Sequence, residues 1–198
     1  MNIWEKLVYG AKQNRLPIVI VCVLAVLVLL SGGNEKTPYT VTGLGLNVEV
    51  TRAGTELLTA GGRVFSGTEM VSFSDSDSLN ENYYQLQGIR ALCDKGGLDY
   101  FLMDRTAMEN LLDQELFLDL RSFFTEAELK ELGEALIFVR KIPEGTDEPE
   151  EAVPVAVRLS ELPFQKEVSP VSGETFFAVA DKSVRLESCR ELWARMCD

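Results

Sequence analysis

Residues 83–104 read YYQLQGIRALCDKGGLDYFLMD, and their reading decides the fold. Apolar residues at 83, 86, 89, 92 and 93 make one face of a helix over 83–95. Gly96-Gly97 stops that helix. Leu98 to Met103, LDYFLM, is a short, largely apolar run of buried-strand character. Asp104 then has the chemistry of an N-cap for a second helix through Gln114. A helix, a buried strand and a helix joined by such short junctions is the rhythm of an α/β sheet.

The same pattern extends outward in both directions. Upstream, YTVTGLGLNVEV (39–50) alternates and is rich in β-formers, so it reads as a strand that Gly43 and Gly45 weaken. Its G-x-G lacks the third glycine of a dinucleotide loop and sits inside a strand. Residues 56–60 form a short apolar turn, and 70–73 suit a second strand. Downstream, Thr125-Glu126-Ala127-Glu128 is a capping box that starts a helix to Leu132 or Ala135. Residues 136–142 and 153–159 read as paired strands around the acidic, turn-rich loop 143–151. Residues 160–173 are loop with at most one turn. Residues 175–180 are another apolar strand, and 184–196 a last amphipathic helix with Val184, Cys189, Leu192, Trp193 and Met196 on one side. No internal repeat is present. Five or six strands and four helices in this order make a mixed α/β domain.

The N-terminus carries a different signal. Leu16 to Leu30, LPIVIVCVLAVLVLL, contains no charge. Lys6, Lys12 and Arg15 precede it against a single Glu5, and an acidic chain follows. The expectation is a cytoplasmic segment (1–15), a transmembrane anchor (16–33), a linker (34–38) and an extracellular domain (39–198), in a single-pass protein of the cell membrane. Trp4 and Tyr9 suit the membrane interface. The alternative is a cleaved signal, with Ser31 and Gly33 as the small residues of the processing site.

Composition excludes several functions. The chain has 198 residues and no histidine, which removes Ser-His-Asp and Cys-His nucleophilic sites and the usual catalytic zinc sites. Net charge is −12. Setting aside the three basic residues and one acidic residue of 1–33 leaves 16 basic and 30 acidic residues, or −14, on the outer part. That balance disfavours nucleic acid and anionic solutes, and favours neutral, cationic or peptide partners. Cys93, Cys189 and Cys197 show no CxxC spacing. The last two lie about 12 Å apart on one helix, too far for a disulfide. The acidic run 74–82 fails as a calcium loop: counted from Asp75, Asn80 stands where glycine is needed and Leu86 where a bidentate acid is needed. There is no G-x-S-x-G, S-x-x-K, H-E-x-x-H or P-loop, so no enzyme is expected, and no cofactor or metal.

The order of segments resembles the type 2 extracellular solute-binding proteins of bacterial ABC importers, and in particular their small membrane-anchored Gram-positive relatives. The pieces that carry the resemblance are 85–104, TAMENLLDQELFLDL (106–120), TEAELKELG (125–133), IFVRKI (137–142), VPVAVRLSELPF (153–164) and FFAVADKSVRLESCRELWARM (176–196), with Ser183 at a polar loop position. The resemblance implies a Rossmann-like lobe with a mixed sheet, tethered outside the cell. It also implies a single lobe, because the hairpin 136–159 stands where the family's chain crosses to a second. Arg158-Leu159-Ser160 replaces the family's Asp-Leu-Ser.

In open α/β sheets ligands sit beyond the carboxyl ends of strands. Asp104, after strand 98–103, and Ser160 and Glu161, after strand 153–159, are therefore the expected ligand-binding residues. The expected function is that of a non-enzymatic module recognising a small neutral or cationic solute, a peptide or another membrane protein. The alternative is an accessory membrane protein acting only through protein contacts.

Overall fold

The computed structural model describes residues 41–60, 64–67, 79–141 and 151–198. They belong to one unit, Pro38–Asp198. The expected anchor, the linker, the strand at 70–73 and most of the loops 74–82 and 143–151 lie outside the described residues. Among the described residues no helix is long and apolar enough to cross a membrane.

The expected first strand is two. Strand β1 (Thr42–Leu46) ends at Asn47, whose φ of 52° is left-handed. The side chain of asparagine tolerates that region better than most. The chain then turns into β2 (Val48–Val50), which belongs to a different sheet. Where a short apolar turn was expected, helix α1 (Arg52–Thr59) forms instead, capped by the Thr51 hydroxyl accepting from the Gly54 N–H at 3.1 Å. Strand β3 (Val64–Gly67) follows, then helix α2 (Leu79–Asp94) and strand β4 (Tyr100–Met103). Helix α3 (Arg105–Leu111) runs on into a 3-10 turn at Leu112–Gln114. Helix α4 (Glu126–Leu132) carries both halves of its capping box: the Thr125 hydroxyl accepts from the Glu128 N–H, and the Glu128 carboxylate accepts from the Thr125 N–H at 2.6 Å. Strands β5 (Leu136–Lys141) and β6 (Glu151–Arg158) pair antiparallel, as expected. A 3-10 turn, Pro163–Glu167, leads to β7 (Val168–Pro170), then β8 (Phe176–Val179) and α5 (Leu186–Cys197).

The main sheet has six strands in the order β3-β1-β4-β8-β6-β5. β3, β1 and β4 are mutually parallel, whereas β8 runs against both β4 and β6. The protein is thus α/β with a mixed sheet. Alternation sends Phe101, Met103, Phe176 and Ala178 to one face, with Ile89 and Cys93 of α2 and Met108 and Leu111 of α3. Tyr100, Leu102, Phe177 and Val179 go to the other, with Leu58 of α1 and Cys189, Leu192, Trp193 and Met196 of α5. Helices therefore cover both faces of the sheet. Of the expected α5 stripe only Val184 stays outside, 76% exposed and ahead of the helix.

Gly43 has a specific reason. A Cβ there would lie 2.1 Å from a ring carbon of Tyr100, the neighbouring residue in the register. Only glycine lets that fully buried ring lie flat across β1 and stack on Phe177 at 5.9 Å between centroids.

Candidate functional site

From β1 the chain passes through α1 to β3 at the sheet edge, then back through α2 to β4 on the other side of β1. Because α1 and α2 pack on opposite faces, the point where the winding reverses lies between β1 and β4. Their carboxyl ends, Leu46 and Met103, are register partners. In sheets of this kind that crevice is the place for a ligand.

Here the protein's own chain fills it. Asp104 is fully buried, and both of its carboxylate oxygens are engaged. Oδ1 accepts from the Ala107 N–H at 2.8 Å, which is the expected helix cap, and from the Asn47 side-chain amide at 3.2 Å. Oδ2 accepts from the Ser172 N–H at 3.0 Å. The Asp104 N–H itself donates to Leu46 O, Val171 N–H to Asn47 O, and Arg105 N–H to Ser172 O. The two-stranded ribbon of β2 and β7 thus leads the segment 171–174 across the mouth of the crevice. Asp104 is the knot that holds it there.

Ser160 and Glu161 belong to the same end of the sheet. Met103, Phe176 and Arg158 form one row, and Leu159 N–H donates to Thr175 O in the next. β8 separates the two expected halves of the site. Ser160 and Glu161 are exposed on a turn closed by the Leu162 N–H on Leu159 O, while Asp104 lies beneath the 171–174 segment. Between them Glu174 bridges two guanidinium groups, Arg105 at 2.5 Å and Arg158 at 3.3 Å. Arg158 therefore has a structural partner from the covering segment.

The opposite end of the sheet carries a pocket of about 170 Å³. Its floor is Leu116 and Cys93, both buried. Its walls come from the last turns of α2 (Arg90, Asp94), the segment after α3 (Gln114, Glu115) and the β8–α5 connection (Asp181, Lys182). The backbone sets these walls: Asp181 N–H donates to Leu116 O, and Leu118 N–H to Val179 O, with Phe117 bridging to Ala180. Lys182 closes on Asp94 at 2.6 Å, which pulls the Asp94 carboxyl below its ordinary range. Burial, helped by Asp94 and Asp181, pushes the Cys93 thiol up to about 11. It is a neutral, inert floor atom.

Beside this pocket a buried ion pair braces the β8–α5 connection. Asp99, fully buried at the start of β4, receives Nε of Arg185 at 2.9 Å, the Ser183 hydroxyl at 2.8 Å and the Thr42 N–H at 2.7 Å. Arg185 Nη2 also donates to Gly96 O. Every charge in this group has a partner of opposite sign and further hydrogen bonds, the condition for burying charge at tolerable cost.

Comparison with protein families, with curated proteins and with solved structures returns no match. The site therefore has to be read from its own chemistry. Among the described residues no group of acids and cysteines could hold a metal ion. The sequence reading missed Asn47, Ser172 and Glu174, whose roles depend on a long-range contact with Asp104 and Arg158. It also missed the pocket, which three segments far apart in the chain build together.

Proposed function

We propose that this protein is a membrane-tethered, non-enzymatic recognition module: a single Rossmann-like lobe held outside the cell by the apolar segment 16–33. We further propose that its partner is another membrane protein, met by the surface of the lobe and not enclosed in a closing cleft. One observation carries this reading. The crevice where an α/β sheet of this winding would hold a solute is occupied by residues 171–174, held there by the Ser172 N–H on Asp104 Oδ2, the Val171 N–H on Asn47 O and the Arg105 N–H on Ser172 O. What that end of the lobe offers outward is a rim, with Ser160 and Glu161 exposed on it. The net charge of −14 on residues 34–198 suits a basic counterpart surface. The solute-binding-like ancestry rests on the order of segments alone.

The test places a photo-crosslinking amino acid at Ser160 or Glu161 of the full chain in cells. A discrete crosslinked product with one membrane protein is expected, lost when the probe is moved to the inward-facing Leu159. Uniform absence of product from the rim positions overturns the surface reading. A second reading, retention of a small solute, is favoured by one observation only, the pocket at the opposite end of the sheet.

A further inference from the structure

We propose that the pocket between α2, the segment 114–116 and the β8–α5 connection binds a small zwitterion of the α-amino-acid type, its carboxylate on Arg90 and its ammonium on Asp181 and Glu115. The inference goes beyond the tethered-module reading. Binding is measured on purified protein, so its failure leaves topology and partner untouched.

The distribution of charge carries it. Lys182 and Asp94 neutralise each other across one wall. Arg90 makes no ion-pair contact with the three carboxylates that line the same pocket, although its charge helps Lys182 lower the Asp94 carboxyl. Its Nη2 reaches only neutral oxygens, the Gln114 carbonyl at 3.3 Å and the Gln114 side-chain oxygen at 3.4 Å. A guanidinium has five N–H donors, so Nε and Nη1 keep theirs for a ligand. Among the described residues, Glu115 and Asp181 likewise form no ion pair. Among the described residues, an arginine whose hydrogen bonds go to neutral oxygens, beside two carboxylates that make no ion-pair contact, is a site of separated charge. One molecule carrying both signs satisfies it. A simple anion meets the carboxylates, and a simple cation leaves the guanidinium unmatched.

Size and floor limit the ligand further. A cavity of about 150 Å³ accepts benzene, so one of 170 Å³ takes roughly six or seven heavy atoms. The floor of Leu116 and the neutral Cys93 thiol suits a short apolar side chain. Alanine meets both conditions. The backbone of the walls is already set in the free protein by the Asp181–Leu116 bond and by the Asp99–Arg185 brace, so the ordering on binding falls on exposed side chains such as Arg90 and Glu115.

The experiment titrates the purified full chain in detergent with L-alanine and follows the melting midpoint and the heat of binding. Alanine methyl ester and N-acetylalanine, each lacking one charge, are the comparison probes. Saturable binding of alanine is expected, with each probe weaker by about tenfold to a hundredfold, the worth of a hydrogen bond to a charged group. Arg90→Gln and Asp181→Asn should each weaken alanine to a similar degree. The ligand-side comparison is decisive on the unaltered protein even where a variant does not melt cooperatively. Equal binding of alanine and its methyl ester overturns the assignment, as does unchanged affinity in both folded variants. Absence of any shift up to about 10 mM alanine, well above a millimolar dissociation constant, overturns it outright.

Discussion

Asp104 is where a functional and a structural role compete for the same carboxylate, and the geometry makes a definite claim. Its oxygens hold one helix cap and two long-range bonds, all buried or partly buried. Asp104→Ala removes the cap, worth about 1 kcal/mol, and leaves the Asn47 amide and the Ser172 N–H short of a partner. A loss of about 2–4 kcal/mol in the urea-extrapolated stability is expected. If the loss is under about 0.5 kcal/mol, the size of an ordinary surface change, the knot is not structural. Cys93 gives a second prediction through pH. Its thiol is pushed up from an ordinary 9.0 to about 11 in the fold, chiefly by burial. Between these values the folded chain holds a proton that the unfolded chain has released. The contribution is therefore complete below pH 9 and is lost as pH rises through about 11. Two pKa units correspond to about 3 kcal/mol. Cys93→Ala should flatten the fall of stability over that window in urea melts at stepped pH, and an unchanged slope would show that the thiolate is not penalised.

At the level of elements, the Asp99–Arg185 pair joins the start of β4 to the start of α5, and so fixes one end of the central strand against one helix of the second face. Arg185→Met leaves the Asp99 carboxylate buried beside only a hydroxyl and an N–H, and should cost about 3–5 kcal/mol. Adding Asp99→Asn removes the stranded charge and should recover part of that cost. The double-mutant cycle by urea denaturation measures the coupling, and additive effects would mean that the pair is not acting as one. This pair was invisible in the sequence, because 86 residues separate its members and neither stands in a motif. What could be read were local agreements of pattern and chemistry. The Thr125–Glu128 box, the Asp104 cap, the apolar 100–103 strand and the β5–β6 hairpin each declare themselves within a few residues. Failures came where a tertiary contact overrode local preference. Asn47 splits one β-rich run into strands of two sheets. Among the described side chains of α2, the apolar residues packed on the sheet are Leu86, Ile89 and Cys93, which lie within about 60° of one another around the helix. Tyr83 and Leu92, on opposite flanks of that stripe, are 57% and 48% exposed. That Asp104, Ser160 and Glu161 share one end of the sheet was legible, but their surroundings there were not. Nothing local in SELPFQKEVSPVSG shows that 171–174 turns back to cover Asp104.

For the whole molecule, the proposed tether raises the question of which side of a membrane the lobe occupies, and the cysteines provide the means to ask it. Cys93 and Cys189 are buried among core side chains, and Cys197, on the last turn of α5, is exposed. None of the three is in a disulfide. The Cys197 thiol is raised by partial burial and by Asp198 and Glu131, which slows its reaction with a maleimide at neutral pH without blocking it. A charged, membrane-impermeant maleimide applied to intact cells should therefore label the chain once, at Cys197, if the lobe is outside. Cys197→Ser should abolish that labelling, because the two remaining thiols of the lobe react only after unfolding. Labelling that appears only when the cells are opened would put the lobe in the cytoplasm, and the charge asymmetry of residues 1–33 would then have misreported orientation. The same labelled band reports the anchor: retention in the membrane pellet after alkaline carbonate marks an integral segment, whereas release of a shortened chain starting near Asn34 marks cleavage after Gly33. Both readouts bear on the recognition proposal together. A rim bearing Ser160 and Glu161 meets a membrane partner often only if the lobe stays on the surface where that partner lies, since tethering replaces a dilute encounter with a high effective concentration.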